Sequence, residues 1–462
     1  MENSTERLGS APLGRLLLSL SLPGMASMVT LALYNIIDTF WVSQLGHQAI
    51  AALTIVMPYH IVVIAVSVGT GIGISSLTSR RFGERNIEAT NHVAGHIFII
   101  AGFFGSIFLL TFIFFSQPLL IIGGATPDIL NYATQYLVII AFGTPFLTFS
   151  IMASELLRGS GDALRPMIFS ITAAVTNIIL DPFMIFGIGV FPEMGVRGAA
   201  LATILSQLLG AGLTFFYIVI LHRSNYQIKL RHLKPSLSIL RDIYRVGFPS
   251  MITEFVESTT FIFFNRILSG FGSLALAAGG LAIRIIDFAF MPVFGASGGL
   301  LPIIGFCFGA RLWHRLWGAV RLAALGLASI LVIATIGMEI FSPQLIDIFT
   351  DDLGLMAQGI PAMRITISTL CLFGPSIIFI TTFMGLGKGR EVLLLSLARQ
   401  LIFFLPALLI LPGFMGINGV WLAIPVSDSA GFLVTGLWLF REYQLQKRSG
   451  VWPEVTAIDS DA

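Results

Sequence analysis

The sequence predicts an all-α polytopic membrane protein with twelve transmembrane helices, arranged as two homologous six-helix lobes related by pseudo-twofold symmetry. Three observations lead to this fold class. The composition is too apolar for a soluble domain, apolar runs of membrane-spanning length recur along the whole chain, and the second half of the sequence repeats landmarks of the first.

The composition excludes an ordinary soluble enzyme. Charged residues make up 11% of the 462 positions, whereas soluble domains carry about 25%. Hydrophobic residues make up 56%, and the mean hydropathy is +0.90. The net charge is only +2 and the basic residues lie in short clusters between apolar runs, so nucleic acid is not an expected partner. The lipid bilayer is the expected setting.

Twelve apolar runs can cross the hydrocarbon core as helices, which takes about 20 residues each. Numbered as spans 1 to 12, they cover residues 14–43, 48–78, 92–116, 130–157, 165–188, 198–221, 242–268, 274–306, 317–341, 358–384, 391–412 and 418–440. Of the 26 Lys and Arg residues, 21 fall on one side of the membrane if the chain crosses at each span. Because cytoplasmic loops carry the excess of basic residues, we expect a multi-pass protein of the cell membrane with both termini in the cytoplasm.

These spans predict four regions of the chain. The N-lobe covers residues 1–221, a cytoplasmic linker covers 222–241, the C-lobe covers 242–440, and a cytoplasmic tail covers 441–462. The linker is polar and basic, which favours a solvated tether attracted to anionic lipid over a ligand site.

An internal repeat relates the two lobes. A shift of 226 residues aligns residues 22–25, LPGM, with residues 248–251, FPSM, and residues 82–85, FGER, with residues 308–311, FGAR. Matches at one shift across a whole half indicate a duplication. Since each copy has an even number of spans, both copies have the same orientation, and an axis along the membrane normal relates them.

Two spans carry a carboxylate with a neutral polar residue one helical turn earlier. In span 1 the pair is Tyr34 and Asp38, and in span 5 it is Asn177 and Asp181. Ionisable residues inside a spanning helix are costly and usually mark a pathway for ions or substrates. Two carboxylates that face one pocket repel each other, so that one of them can act as a protonatable switch. The alternative is that both acids only cap helix ends, although the repeat has no acid at the two equivalent positions of the C-lobe.

Proline lies inside span 1 at Pro23 and inside span 7 at the equivalent Pro249. Because proline removes a backbone hydrogen bond, it can bend a helix. Two interpretations stay open for Pro23. Either span 1 changes its bend when Asp38 takes up a proton, or a fixed bend serves packing.

The charged residues of the C-lobe have several interpretations. Arg284 and Asp287 in span 8 have the spacing of a local ion pair, which is the favoured interpretation. Glu257 in span 7 is a candidate for binding a cation or a cationic substrate. Arg399 in span 11 and Asp428 in span 12 are either functional or paired with each other, and the sequence does not choose between these alternatives.

Three motifs that suggest ligand binding fail on inspection. Residues 69–73, GTGIG, lie inside a span, so close helix packing explains them better than a dinucleotide site. Residues 385–389, GLGKG, lack the spacing of a nucleotide-binding Walker A loop. His92 and His96 have the spacing of a zinc helix, but no third ligand is recognisable, and no metal site is expected. The chain has no recognisable nucleophile, base and metal constellation, so we do not expect an enzyme.

The chain as a whole resembles the multidrug and toxic compound extrusion (MATE) transporters, especially their DinF-like branch. The resemblance is most specific at Pro23, Tyr34, Asp38, Asn177, Asp181 and residues 302–311, PIIGFCFGAR. It implies that Tyr34, Asp38, Asn177 and Asp181 form the proton and substrate site, with Tyr136 of span 4 nearby. The family exports organic cations and other amphipathic compounds against an inward gradient of protons or sodium.

The sequence departs from the sodium-coupled members of the family, which use acids on spans 7 and 10. Glu257 matches the first of these acids, but span 10 has no Asp or Glu between Ala357 and Met384. The coupling ion is therefore expected to be the proton, with sodium as the alternative. No cofactor is expected beyond the ion gradient.

The expected function is secondary active multidrug efflux. Lipophilic or cationic compounds leave the cell in exchange for protons as the two lobes alternate in access, with protonation of Asp38 and Asp181 as the coupling switch. A flippase for a lipid-linked oligosaccharide is an alternative, but it would need several basic residues in the cavity, and the spans contain only Arg284, Arg364 and Arg399. Expected partners are small amphipathic molecules and the bilayer, and a monomer is expected because one chain contains both lobes.

Overall fold

The computed structural model describes residues 4–221 and 224–448, which form helices and short connections without any β-strand in those ranges. The α-helices are α1 (Ser4–Ser10), α2 (Leu13–Ser43), α3 (His47–Gly83), α4 (Ile87–Ile122), α5 (Pro127–Ala141), α6 (Thr144–Gly159), α7 (Leu164–Phe186), α8 (Val196–Phe215), α9 (Leu237–Ser269), α10 (Ser273–Gly309), α11 (Trp313–Ile340), α12 (Ser342–Asp347), α13 (Leu353–Ile367), α14 (Leu370–Gly385), α15 (Gly389–Leu397), α16 (Leu405–Met415) and α17 (Ile417–Arg448). A 3₁₀ helix covers Leu230–Leu233, and π-helical segments cover Phe216–Ile220 and Ala398–Phe404.

The predicted spans coincide with these helices, and the fold class is confirmed. Within the described residues, nine helices are long and apolar enough to cross a membrane, or eleven if each of two bent pairs counts as one span. The bent pairs are α5 with α6, at 51°, and α13 with α14, at 45°. Helix α9 is the remaining predicted span, and it is 33 residues long but carries several charges along its length. Span 4 breaks just before Pro145, because proline lacks the N–H that would continue the preceding helix.

The duplication is visible in the backbone. Arg85 and Arg311, which are 226 residues apart, both have left-handed conformations, with φ angles of 57° and 58°. Gly46 and Gly272, separated by the same shift, have φ angles of 103° and 107°. A left-handed residue with a side chain costs about 1–2 kcal/mol, so its recurrence at one repeat position indicates that the same turn was copied with the sequence.

The described helices group into two compact units. The first contains the described residues up to Phe255 together with Phe294–Ala310 and Met384–Arg390, and the second contains Val256–Val293, Arg311–Phe383 and the described residues from Glu391 onward. In the first unit, α2 packs against α7, α7 against α8, and α3 against α6. In the second unit, α16 packs against α17, and α13 packs against both α12 and α17.

Residues 69–73 serve helix packing in the first unit, as the sequence indicates. A side chain at Gly73 would overlap the backbone of Ile243 in α9, and one at Gly69 would meet Met251 of the same helix. Because glycine has no Cβ, the two helices approach closely along this face.

The described part of the predicted linker differs from a solvated tether. Tyr226 and His232 are fully buried, at 0% exposure. The Tyr226 hydroxyl donates to the backbone oxygen of Leu156 at 2.6 Å, and burial raises the pKa of Tyr226 well above its usual value, so the hydroxyl keeps its proton. The backbone N–H of Gln227 donates to the Asn91 side chain at 2.9 Å. The basic composition of the linker gave no sign of the two buried rings, Tyr226 and His232, that anchor the linker to the first unit.

Candidate functional site

Two carboxyl groups meet where α2 packs against α7. Asp38 lies near the end of α2 and is 9% exposed, and Asp181 lies inside α7 and is 0% exposed. Their side chains interact directly with each other. Asp38 Oδ1 is buried and has no hydrogen-bond partner among the residues that the structure describes. Neither acid caps a helix end, and the sequence-based expectation that they share one site agrees with this geometry.

Asn177 fixes the position of Asp181 from one turn earlier in α7. Its amide nitrogen lies 3.3 Å from Asp181 Oδ1 and 3.4 Å from the hydroxyl of Thr203 in α8. Turning the amide by half a rotation gives a 2.9 Å donor contact to Asp181 Oδ2 and a 3.2 Å contact from the Thr203 backbone N–H to the amide oxygen. In either orientation, Asn177 joins α7 to α8 and supplies a donor to the acid.

Two tyrosines complete the surroundings of the acids. Tyr34 is half-buried one turn before Asp38, and its hydroxyl interacts with the Thr203 side chain. Tyr136 of α5 is 8% exposed and lies close enough to both acids to interact with them electrostatically. The structure therefore brings together all five residues that the sequence analysis assigned to this site.

Thr203 belongs to the same cluster, and the sequence analysis missed it. Its hydroxyl also donates to the Ala199 backbone oxygen at 3.0 Å, and the residue is 2% exposed. A threonine in an apolar helix usually bonds its own backbone, so its spacing gave no signal. Only the packing of α8 against α7 reveals its contact with Asn177.

The acid pair is enclosed in this structure. A small cavity of about 10 Å³ lies in the same unit, but Asp38 and Asp181 do not line it, and its polar lining consists of His60, Thr144 and Gln207. Helix α2 continues through Pro23 as one helix from Leu13 to Ser43. A bulky solute could reach the acids only if the helices around them moved.

A second group of charges lies in the other unit. Arg399 Nη2 is 2.7 Å from Glu257 Oε1, and Arg399 Nη1 is 3.3 Å from Asp428 Oδ1. The Gln400 side chain donates to the same Glu257 oxygen at 3.1 Å. Arg399 and Asp428 are therefore paired, which was one of the two alternatives open from the sequence. The Glu257 carboxylate is not free, because it shares this arginine.

The expected ion pair between Arg284 and Asp287 is wrong. Both side chains are exposed, and within the described ranges no ion pair joins them. Arg284 acts on Asp287 only electrostatically, without contact. Spacing of three residues permits such a pair, but a contact also requires both flexible side chains to give up rotamer freedom, and the structure leaves them apart.

A histidine cluster forms at the start of α4, where the sequence showed no third partner for His92. Donor atoms of Glu88, His92 and His232 lie within 4.8 Å of one another. However, both ring nitrogens of His232 are engaged: Nδ1 accepts from the Lys229 backbone N–H at 3.0 Å, and Nε2 lies 3.0 Å from Glu88 Oε1 and 3.2 Å from Arg231 Nε. A metal would have to displace these contacts. The contacts fit a hydrogen-bonded junction better than a metal centre.

Residues 385–389, GLGKG, form a tight connection between α14 and α15. Gly387 has a φ angle of 75°, and a side chain there would overlap the guanidinium of Arg80 in α3. Arg80 Nη1 lies 3.2 Å from the Ser76 hydroxyl, which donates to the backbone oxygen of Met384. Packing against α3 accounts for this glycine-rich loop, in agreement with the absence of Walker A spacing.

Comparisons with known proteins assign the family. The sequence profile described as MatE matches residues 23–183 and again residues 249–409, the same shift of 226 residues. A protein named FAD transporter from Shewanella oneidensis is 29% identical over 436 residues, covering 91% of this chain and 92% of that protein. A protein named Multidrug export protein MepA from Staphylococcus saprophyticus is 25% identical, covering 88% of this chain and 89% of that protein.

Solved structures agree with this assignment. A structure described as the outward-facing conformation of a multidrug resistance MATE family transporter has a TM-score of 0.90 at 28% identity, covering 96% of this chain and 99% of the other. Another, described as MATE in the bent conformation, has a TM-score of 0.92 at 28% identity, covering 97% of this chain and 99% of the other.

A duplicated helical fold with buried acids inside one bundle is typical of secondary transporters. The chain belongs to the MatE family. It is a multi-pass membrane transporter of small molecules, not an enzyme.

Proposed function

We propose that the protein exports lipophilic and cationic organic compounds from the cell in exchange for protons. The observation that carries this proposal is the contact between the Asp38 and Asp181 carboxyl groups, buried inside the first unit. The similarity to proteins named Multidrug export protein MepA supports multidrug compounds as the substrates.

The acid pair can couple the two fluxes because it binds either protons or a cation. Two adjacent carboxylates in a poorly solvated site repel each other, and a proton on one of them or a cation beside both relieves that repulsion. Occupancy by a proton therefore lowers the affinity for a cation. One proton entering down 100 mV supplies about 2.3 kcal/mol, which corresponds to roughly fifty-fold accumulation of a neutral solute. Exchange of one proton for one monovalent cation moves no net charge, so for such a substrate the pH gradient alone drives export.

The residues around the acids have distinct roles in this proposal. Asn177 holds Asp181 in place and contacts Thr203 through the Thr203 hydroxyl or its backbone N–H, while the Thr203 side chain contacts Tyr34. Loss of a charge at Asp38 would alter this network at the contact of α2 with α7, and Pro23 gives α2 a position where it can bend. Movement of α2 would open the enclosed acids to substrate, as alternating access requires.

Sodium coupling through the C-lobe is less favoured because Glu257 is engaged. Its carboxylate binds Arg399 and Gln400, so a sodium ion would have to compete with a fixed cation. The alternative function as a flippase is also less favoured, because most of the basic residues it requires are engaged with acids. Of its three basic candidates, Arg399 is bound to acids, and Arg364 lies 3.5 Å from Glu339.

Export of a flavin dinucleotide is a second candidate, favoured by the 29% identical relative named FAD transporter. An anionic dinucleotide would not be expected to bind between two carboxylates unless both were protonated. This candidate therefore predicts transport that persists when Asp38 is replaced by Asn, whereas the proposed cation exchange predicts its loss.

The test is efflux from proteoliposomes under separately imposed proton and sodium gradients. A fluorescent lipophilic cation and FAD serve as substrates, with wild type, Asp38→Asn, Asp181→Asn and Glu257→Gln compared. Glu193→Gln, which alters an exposed acid after α7, controls for loss of charge. We expect proton-driven cation efflux that fails in both Asp variants and persists in the control. Sodium-driven efflux lost only in Glu257→Gln would overturn the assignment.

We further propose that both termini lie in the cytoplasm and that one chain is the working unit. The side of the membrane follows from the basic residues, 21 of 26 of which share one side if the twelve spans cross in turn. Labelling of single cysteines introduced at Arg448 and Glu193 with a membrane-impermeant reagent on intact cells tests the orientation. Only the Glu193 position should react.

A further inference from the structure

A cationic cavity lies at the beginning of α9, away from the acid pair. It is a groove of about 970 Å³ that opens widely to the surface, and Asp242 also lines it. Leu237, Arg241, Arg245 and Phe248 all line it, and their spacing of four, four and three residues puts them on one face of the helix. The opposite face of α9 is buried at Ile243 and Val246, so the four residues form its outward stripe.

Neither arginine on this stripe is bound to another side chain in the part of the protein that the structure describes. Their side chains are exposed, and neither guanidinium has an ion pair or hydrogen bond with another side chain of residues 4–221 and 224–448. The acid between them, Asp242, lies 3.3 Å from Arg81 of α3. Like charges one helical turn apart destabilise a helix. An anion that bridges the two guanidinium groups would remove this cost.

The arginines are flanked by exposed apolar side chains. Leu237 is 85% exposed on one side of them, and Phe248 is 56% exposed on the other. Span 7 of the sequence begins at residue 242. The two arginines therefore lie at the predicted cytoplasmic boundary of the membrane, and Phe248 lies inside the membrane. A ligand that suits this face has a negatively charged head and a hydrocarbon body.

We propose that Arg241 and Arg245 bind the phosphate of an anionic phospholipid, whose acyl chains lie along Phe248. Bidentate contacts make arginine well suited to phosphate oxygens. Basic clusters at the cytoplasmic ends of spanning helices attract anionic lipids, because that leaflet carries their charge. The equivalent helix of the first repeat does not carry this pair of arginines. The 226-residue shift maps Arg241 onto Arg15 but Arg245 onto Ser19, so the proposed site belongs to α9 alone.

Titration of the purified full chain in detergent with short-chain phosphatidylglycerol tests the site, with short-chain phosphatidylcholine in parallel. Each basic residue near an anionic surface is worth about a factor of five in affinity. The variant Arg241→Gln/Arg245→Gln should therefore bind phosphatidylglycerol about thirty-fold more weakly, and each single variant about five-fold more weakly. Binding of phosphatidylcholine should not change.

The control is Lys447→Gln/Arg448→Gln, which removes two exposed charges from the end of α17. It should bind phosphatidylglycerol as wild type does. Equal phosphatidylglycerol binding by wild type and the Arg241/Arg245 variants would overturn the proposal. Inorganic pyrophosphate that binds wild type as tightly as the lipid, and is lost in the same variants, would instead indicate a site for soluble phosphate compounds. If the double variant does not fold, the single variants decide.

Discussion

Arg399 binds Glu257 through one guanidinium nitrogen, at 2.7 Å, while the other end of the same group reaches Asp428 at 3.3 Å. One cation thus serves two acids from two other helices. Arg399 is 13% exposed and Asp428 is 7% exposed, whereas Glu257 is 48% exposed. The pair of Arg399 and Asp428 is therefore shielded from the surroundings. Glu257 is the member of the network whose contact with Arg399 can open most easily.

We predict that Arg399→Gln strongly lowers stability. Removing one member of a buried ion pair leaves the other charge uncompensated, which costs about 3–5 kcal/mol. The melting temperature of the purified protein measures this loss, and adding Asp428→Asn should restore much of it. Arg364→Gln breaks the half-exposed pair with Glu339 at 3.5 Å and a 2.7 Å hydrogen bond to the Ser342 hydroxyl, for which we expect a smaller loss of about 1–2 kcal/mol. Similar melting temperatures for both arginine variants would contradict this view of the network.

We predict that Thr203→Val slows transport several-fold with little effect on folding. The substitution keeps the shape but removes the hydroxyl that contacts Asn177 and Tyr34, a loss of about 1 kcal/mol in the positioning of Asp181. Thr214→Val is the matched control, because Thr214 is equally buried in α8 and its hydroxyl bonds only the Gly210 backbone oxygen, at 2.8 Å. Initial efflux rates compare the two. Equal rates would remove Thr203 from the site.

We predict that Asp38→Asn makes the protein more stable while it stops coupled transport. An amide at this position can donate to the Asp181 carboxyl, and one of two adjacent acids is removed, for a gain of about 1 kcal/mol. Sites that act through unfavourable contacts often show this exchange of stability for function. Thermal unfolding and efflux are measured on the same preparation. A lower melting temperature would argue that Asp38 is a structural residue.

We predict that Gly387→Ala destabilises the protein more than Gly189→Ala. Both glycines have left-handed backbones, with φ angles of 75° and 73°, but only a side chain at Gly387 meets another group, the Arg80 guanidinium. Backbone strain of about 1–2 kcal/mol is common to both variants. The difference in melting temperature therefore reports the contact with Arg80. Adding Arg80→Ala should recover part of the Gly387→Ala loss and none of the Gly189→Ala loss.

Local spacing predicted part of the candidate site. Asn177 and Asp181 are one turn apart on α7, and such neighbours share a face in any helix, so their contact at 3.3 Å needed no tertiary knowledge. The pairing of Asp38 with Asp181 required the two helices to pack together, which the sequence only suggested through the repeated pattern of acid and polar residue.

Spacing misled at other positions. Arg284 and Asp287 have the separation of an ion pair but do not form one, because spacing alone does not fix the rotamers of two flexible side chains. His92 lacked a third partner in the sequence, yet the buried His232 of the linker meets it through Glu88. Thr203 carried no signal, because its hydroxyl also satisfies its own helix.

The sequence by itself determined the membrane setting, the spans and the duplication. These properties depend on average hydrophobicity and on the repeat distance, to which many residues contribute, so a wrong interpretation of one residue does not change them. The tertiary structure decided which polar side chains meet: Asp38 with Asp181, Arg399 with Glu257 and Asp428, and His232 with Glu88. Such contacts depend on the position of a few atoms from distant segments, and their strength falls steeply with misplacement, so no local pattern encodes them.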